Sequence, residues 1–316
     1  MVVTSLDAVF AAQERVQSLV RRTPVLHLDR DVVLGMGNPV SLKLESLQVT
    51  GSFKFRGALN RLRTIDPAQL AGGLVAASGG NHGLANAFVA RLAGVKATIY
   101  LPENAAPIKA EKLRRLGAEV RFAGSVWDEA HAAASAEAER IGAFYVHPFC
   151  DEAVVTGHAT VALELVEQLP DADCFIIAVG GGGLISGLAS VVKALRPGAR
   201  VIGVEPVGSP TLKASLDAGR VVRLPRVTTR VATMACGRTD ERIFDTVRAQ
   251  VDDIVLITDE DMQAAAEVLW FDYGVAADLS GAASLAALLS GAVRPAKGER
   301  IAGLVCGAGT DGIFPS

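Results

Sequence analysis

Short apolar, β-branched runs alternate along the chain with longer stretches of helical character. The strand-like runs are Ser41–Glu45, Leu74–Ala77, Ala97–Leu101, Glu119–Phe122, Phe175–Val179, Val201–Glu205, Ile254–Ile257 and Ile301–Val305. Several, such as Phe175–Val179, are apolar throughout instead of alternating. That pattern belongs to strands covered on both faces of a parallel sheet. Between them, the helical stretch Ala85–Leu92 stops at Gly94 and Ile108–Leu116 stops at Gly117, where a left-handed glycine can close the last turn. Ser125-x-x-Asp128 reads as a capping-box variant that opens an Ala-rich helix ending near Gly142. Pro197-Gly198 ends the helix after Gly180–Gly183. This alternation predicts an α/β fold of two doubly wound domains with mostly parallel sheets. No repeat or linker marks a boundary. The expected division is a small domain at 53–146 and a large one made of 1–52 and 147–316.

Composition narrows the class. A chain of 316 residues can bury a core in each of two domains. It is 50% hydrophobic and 21% charged, which excludes disorder. The net charge of −3, from 31 basic and 34 acidic residues, argues against nucleic-acid and anionic-membrane partners. Aromatic residues make up only 5%, too few for stacking platforms. Cys174–Val192 is uncharged and approaches bilayer length, but Gly180–Gly183 inside it is costly in a lipid-exposed helix. The four cysteines form no C-x-x-C pair, which fits a reduced, cytoplasmic setting. The early Asp7 and absence of a basic start predict no signal peptide.

Three glycine-bearing loops follow expected strands: Ser78-Gly79-Gly80-Asn81-His82-Gly83, Gly180–Gly183 and Cys306-Gly307-Ala308-Gly309. Ligands of open α/β sheets bind beyond the carboxyl ends of the strands. Glycines there let backbone N–H groups close on an anion, with a helix dipole behind them. Four consecutive glycines carry a conformational cost that favours a phosphate cradle over a plain turn at Gly180–Gly183. Gly181-x-Gly183-x-x-Ser186 followed by Glu205 also approximates a dinucleotide fingerprint, although its third glycine is missing. Lys54 lies between Phe53 and Phe55. A lysine so placed is ordinarily a snorkelling surface residue. Beside two anion-binding loops it becomes a candidate Schiff-base amine, and such an amine with a phosphate cradle is what pyridoxal phosphate requires.

The set Ser52-Phe53-Lys54-Phe55-Arg56-Gly57-Ala58, Ser78–Gly83, Gly157-His158-Ala159-Thr160 with Glu164, Gly180–Leu184 and Gly203-Val204-Glu205-Pro206 resembles the serine/threonine dehydratases. These are fold type II, tryptophan-synthase-β-like pyridoxal-phosphate enzymes, relatives of serine racemase. The resemblance runs from about Thr23 to the C-terminus. It implies a cofactor-binding large domain and a small domain closing over an amino-acid substrate. Lys54 would be the catalytic lysine bound to the cofactor, and Phe53 would pack near the ring. Asn81 would bond the ring hydroxyl, and Gly180, Gly181, Gly182 and Gly183 would hold the phosphate. Cys306 would face the pyridine nitrogen. Ser78, Gly79, Asn81 and His82 would bind the substrate carboxylate. The implied reaction is loss of the β-hydroxyl of L-threonine, L-serine or a similar amino acid through an aminoacrylate, giving a 2-oxo acid and ammonia. Family members are commonly homodimers or larger.

Departures from the pattern qualify those expectations. Racemases place a proton-bearing serine at the position of Gly79, so elimination is expected over racemisation. The acid that would join Glu205 at a cation is replaced by Thr211, so no metal is expected. Asp278-Leu279-Ser280-Gly281-Ala282 replaces an acidic-Pro-x-Gly-Ala segment, and Ala232-Thr233-Met234 replaces Ala-Asp-Gly. Hydroxyaspartate, phenylserine or another β-hydroxy amino acid therefore stays open as substrate. So do β-replacement, racemisation, a nicotinamide oxidoreductase and a non-catalytic binding protein. His27, His131, His147 and His158 lack metal-ligand spacing, and His147-Pro148 and His158 lie in segments that read as structural. The chain stops about ten residues after its last glycine loop, so the regulatory domain of biosynthetic threonine deaminases is not expected.

Overall fold

A computed structural model describes residues 4–28, 37–78, 80–103, 105, 107–125 and 127–314. Gly79, one of the expected substrate-binding residues, lies outside the described residues. Strands β1 (Val25–His27), β2 (Val40–Leu44), β7 (Cys174–Ala178), β8 (Arg200–Pro206), β9 (Asp253–Ile257) and β10 (Ile301–Val305) form one sheet in the order β1-β2-β10-β7-β8-β9. Strands β3 (Leu74–Ala77), β4 (Ala97–Leu101), β5 (Glu119–Phe122) and β6 (Phe144–Tyr145) form a second, ordered β5-β4-β3-β6. Every pairing is parallel except β1 with β2. The eight expected strands lie within one residue of their expected ends. The other two, β1 and β6, are too short to carry a period. The chain thus starts in the six-stranded sheet, leaves for the four-stranded one and returns.

The helices are α1 (Leu6–Val16), α2 (Lys54–Leu62), α3 (Asn81–Ala93), α4 (Pro107–Arg115), α5 (Trp127–Ile141), α6 (Glu152–Gln168), α7 (Gly183–Leu195), α8 (Thr211–Asp217), α9 (Glu241–Gln250), α10 (Asp259–Phe271) and α11 (Leu279–Leu289). Gly94 and Gly117 take positive φ of 66° and 86°, closing α3 and α4 as expected. The expected box at the start of α5 rests on Asp128, whose side chain lies outside the described residues. Glu129 Oε2 accepts from Ser125 N–H at 2.6 Å and from its hydroxyl at 3.2 Å. The uncharged stretch Cys174–Val192 divides into β7, a glycine turn and α7. Among the described residues no helix is long and apolar enough to cross a membrane.

Each sheet has its own core. Ile176, Val201, Leu285 and Leu304 lie in that of the six-stranded sheet. Phe55, Leu59, Leu74 and Ile99 lie in that of the other. The contact between α2 and α6 depends on two glycines. A Cβ on Gly157 would lie 2.6 Å from the Arg56 carbonyl and 2.8 Å from Gly57 Cα. Such an approach brings Arg56 to a buried ionic cluster. Its guanidinium bonds both oxygens of Glu45 at 2.7 and 2.8 Å and Glu164 Oε1 at 2.7 Å. Lys43 Nζ pairs with Glu164 Oε2 at 2.7 Å. Removing one partner of a buried set like this costs about 3–5 kcal/mol, because the others are left uncompensated. Arg56 and Glu164, two residues of the recognised motifs, are therefore structural anchors that fix the helix carrying Lys54.

Candidate active site

The loops at the carboxyl ends of β3, β7 and β10 are the expected glycine loops, and α2 enters beside the last of them. Two short 3-10 turns, Glu45–Leu47 and Val49–Gly51, lead from β2 towards Lys54. Inside the second turn the backbone is strained: Thr50, a β-branched residue, sits at φ 63°. Ser52 then bridges Gly307, and the Phe53 N–H donates to the Cys306 carbonyl at 3.1 Å. The first turn of α2 is thereby tied to the end of β10.

Lys54 Nζ donates to the Pro148 carbonyl at 2.9 Å and stands 5.0 Å from the centroid of the Phe53 ring. Burial lowers its pKa to about 8, since a charged ammonium gives up hydration that the site does not replace. Phe53 also meets His158 edge-on, with centroids 4.7 Å apart. His158 is buried and held well below its ordinary pKa by burial, with Lys54 adding to the effect. Ser52 Oγ is buried and without a hydrogen-bond partner among the described residues. An orphaned hydroxyl two residues from Lys54 is a polar group awaiting a ligand.

Gly180–Gly183 leads into α7 with no side-chain cap, and Gly182 takes φ 91°. The first N–H groups of α7 are thus left to a ligand. No side chain could fit beneath them. A Cβ on Gly181 would lie 2.3 Å from the Phe149 ring, and one on Gly182 would lie 2.6 Å from Ile243. Thr239 Oγ1 fixes the turn by donating to the Gly181 carbonyl at 3.0 Å. A bare, backbone-lined hollow at a helix N-terminus fits a phosphate, and Lys54 and Ser52 fit the rest of a pyridoxal group.

The second anion site is less uniform than expected. Helix α3 also starts without a side-chain cap, and the Gly80 N–H donates to Ser78 Oγ at 3.2 Å. Asn81 and His82 open the helix, but the His82 ring turns inward. Its Nε2 bonds the Val146 carbonyl at 3.0 Å, and Asn86 lies beside the ring. Burial lowers its pKa to about 3, so the ring is neutral. With its ring engaged inward, His82 leaves its backbone N–H at the start of α3 as the group for the expected carboxylate contact. Asn81 Nδ2 is already engaged, donating to Asp278 Oδ2 at 2.9 Å. Cys306 is 3% exposed, with Sγ 3.7 Å from Ser280 Oγ. Burial first, then nearby Asp278, pushes its pKa up, so it is a neutral thiol.

Glu205 does not serve the cleft. Its two oxygens accept from the Leu212 and Lys213 N–H groups at 2.8 and 2.9 Å, capping α8. Thr211 Oγ1 meanwhile donates to the Cys236 carbonyl. Fully buried on that helix end, the carboxylate is not offered to a ribose, which counts against the dinucleotide reading. Among the described residues no group of His, Cys, Asp and Glu side chains is arranged to hold a metal ion.

Sequence reasoning missed the segment that joins these parts. Pro148 supplies the carbonyl for Lys54, Phe149 underlies Gly181 and Gly183, and His147 Nδ1 accepts from the Phe149 and Cys150 N–H groups. His147 belongs to a ring cluster with Trp127, His131, Tyr145 and Phe149, with centroid separations from 4.7 to 6.3 Å. Trp127 Nε1 donates to the Ala77 carbonyl at 2.9 Å, one residue before Ser78. Spacing alone gave no signal of this, because the rings come from α5, β6 and the loop after it.

The chain matches the model of the pyridoxal-phosphate dependent enzyme family over residues 16–307. It is 38% identical over 290 residues to an L-threonine ammonia-lyase of Geobacter sulfurreducens, covering 92% of this chain and 72% of that protein. Among solved structures, a T.th. threonine deaminase superposes with a TM-score of 0.89 at 37% identity, covering 96% of this chain and 98% of the other. Maize serine racemase superposes with a TM-score of 0.91 at 32% identity, covering 97% and 94%. The chain thus belongs to the fold type II pyridoxal-phosphate-dependent enzymes, in their serine/threonine dehydratase family.

Proposed function

We propose that the protein is a pyridoxal-phosphate-dependent ammonia-lyase acting on a β-hydroxy-α-amino acid such as L-threonine or L-serine. Water is lost across Cα and Cβ and is taken up again as the resulting imine hydrolyses to a 2-oxo acid and ammonia. The bound cofactor supplies an electron sink for the pair left at Cα. The chain supplies the rest. Gly180–Gly183 and the N-terminus of α7 hold the phosphate. The backbone N–H groups at the start of α3 take the substrate carboxylate, helped by a helix dipole and not by a charged imidazole. Lys54 removes the Cα proton at Nζ. A pKa near 8 supports that role, since it leaves part of the amine free near neutrality. Neutral Cys306 is a weak donor towards the pyridine nitrogen, a setting that favours rapid β-elimination over a long-lived carbanion. The observation that carries the reading is the half-buried amine of Lys54, held on the Pro148 carbonyl, together with the two uncapped helix N-termini of α3 and α7.

The two sheets support a division into a small domain at 53–146 and a large one at 1–52 and 147–316, with closure over the substrate between them. Four free cysteines support a reducing, cytoplasmic setting. We infer a homodimer or larger assembly, which sedimentation would test.

A second reading concerns only the β-substituent. The half-buried rings of Trp127, His131, Tyr145 and His147 lie beside the Ser78 loop. They suit an aryl group, as in phenylserine, better than a methyl group. The test is release of 2-oxo acid from L-threonine, L-serine, hydroxyaspartate and phenylserine by the cofactor-loaded enzyme. Oxo acid from threonine or serine is expected, with no D-serine formed because Gly79 has no proton to return. Activity confined to phenylserine would select the second reading. No oxo acid from any of the four would refute both.

A further inference from the structure

Asp278 is a carboxylate in the cleft that the reaction above does not use. Among the described residues no cation pairs with it. Its oxygens accept instead from three neutral donors: Asn81 Nδ2 at 2.9 Å, Ser280 Oγ at 2.7 Å and the Gly281 N–H at 2.6 Å. Asp278 is half-buried with no cation beside it, and the hydration it loses raises its pKa. One of the three bonds has a local purpose, because the Gly281 N–H is in the first turn of α11, which Asp278 caps. The Ser280 bond lies within the same turn, and only the Asn81 bond reaches outward. Asn81 starts α3, beside the four-stranded sheet, so its bond to Asp278 crosses from one sheet's helices to the other's. Ser280 Oγ is the group against which Cys306 Sγ rests at 3.7 Å.

The surrounding glycines protect this arrangement. A Cβ on Gly307 would lie 2.6 Å from Asp278 Oδ2 and 2.7 Å from Asn81 Nδ2, in the space the bond occupies. A Cβ on Gly309 would lie 2.6 Å from Asp278 Cα. The Asp278 N–H donates to the Gly307 carbonyl at 3.1 Å, so the carboxylate is fixed to the loop that carries Cys306.

We propose that Asp278 is a positioning residue which, by accepting from Asn81 and Ser280 together, sets the aim of the amide and of the thiol that face the cofactor ring. The proposal rests on the reading of Asn81 and Cys306 as ring contacts. With one amide hydrogen committed to Asp278, the second hydrogen and Oδ1 of Asn81 have one remaining orientation. With Ser280 committed as a donor to Asp278, its oxygen is left to receive the thiol proton whenever the ring nitrogen does not.

The test uses Asp278→Asn, which keeps the shape and the cap of α11. It places an N–H opposite Asn81 Nδ2 and so breaks the pairing. Cofactor affinity is titrated on the cofactor-free protein, and kcat and KM are measured after reloading. Supporting contacts of this kind change affinity or activity by about 10–100-fold when lost. We expect about a tenfold weaker pyridoxal-phosphate Kd and about a tenfold lower kcat, with KM little changed. Asn81→Ala should lose at least as much. The double variant should be no worse than Asn81→Ala, because Asp278 acts on affinity through that amide. Unchanged Kd and kcat in Asp278→Asn would overturn the proposal. So would losses of cofactor affinity that multiply in the double variant, or a cofactor-free Asp278→Asn that no longer folds, which marks a purely structural residue. A parent enzyme that binds pyridoxal phosphate but releases no oxo acid would contradict the proposed function and still leave the affinity comparison readable.

Discussion

Lys54 shows how a surface-type residue becomes a reactive one. Its sequence neighbours place it among aromatic side chains, and the fold then denies it water and offers one carbonyl. In the cofactor-free protein the folded chain holds the Lys54 proton only to about pH 8, against an ordinary value of 10.5 unfolded. Between those values the unfolded chain binds more protons, so stability rises with pH across that window. Urea unfolding of the cofactor-free protein should show this rise, and it should be absent in Lys54→Ala. Identical pH profiles for the two would mean that the amine is solvated. His82 teaches the opposite lesson. Its place in the loop was legible, but the direction of its ring was not. That direction is set by the Val146 carbonyl at the end of the small sheet, 64 residues away.

At the scale of elements, strand and loop positions were readable because parallel strands buried on both faces leave apolar runs with glycines at their ends. The motif Gly157-His158-Ala159-Thr160 with Glu164 was readable as a signature but not as a role. The structure assigns it to the crossing of α2 and α6 and to the Arg56 cluster. The glycine run between β7 and α7 makes a sharp prediction. Gly181→Ala puts a methyl group into the Phe149 ring. Relief requires the ring or the turn to move, and overpacking of this kind costs about 1–3 kcal/mol. Because the same turn is the proposed phosphate site, pyridoxal-phosphate affinity should fall by about tenfold or more, the equivalent of about 1.4 kcal/mol. A titration showing parental affinity would contradict the cradle. The contacts made by His147, Pro148, Phe149 and Cys150 were not legible, since they are backbone and ring contacts with no sequence period.

At the scale of the whole molecule, the site belongs to neither sheet alone. The proposed phosphate cradle at Gly180–Gly183 and Cys306 hang from the six-stranded sheet, and the proposed substrate loop from Ser78 hangs from the four-stranded one. Lys54, through the Pro148 carbonyl, and Asp278, through Asn81, are two of the points at which bonds join these halves. Departures in the sequence, such as Leu279 after Asp278 where the family pattern has proline, matter at this scale because they fall on that seam. The most direct measurement is hydride reduction of the cofactor-loaded enzyme followed by peptide mapping, run beside oxo-acid release from L-threonine. The account predicts a pyridoxyl group on Lys54, and loss of oxo-acid release by more than about a thousandfold in Lys54→Ala. A reduced enzyme unmodified at Lys54, or a Lys54→Ala variant with parental turnover, would contradict it.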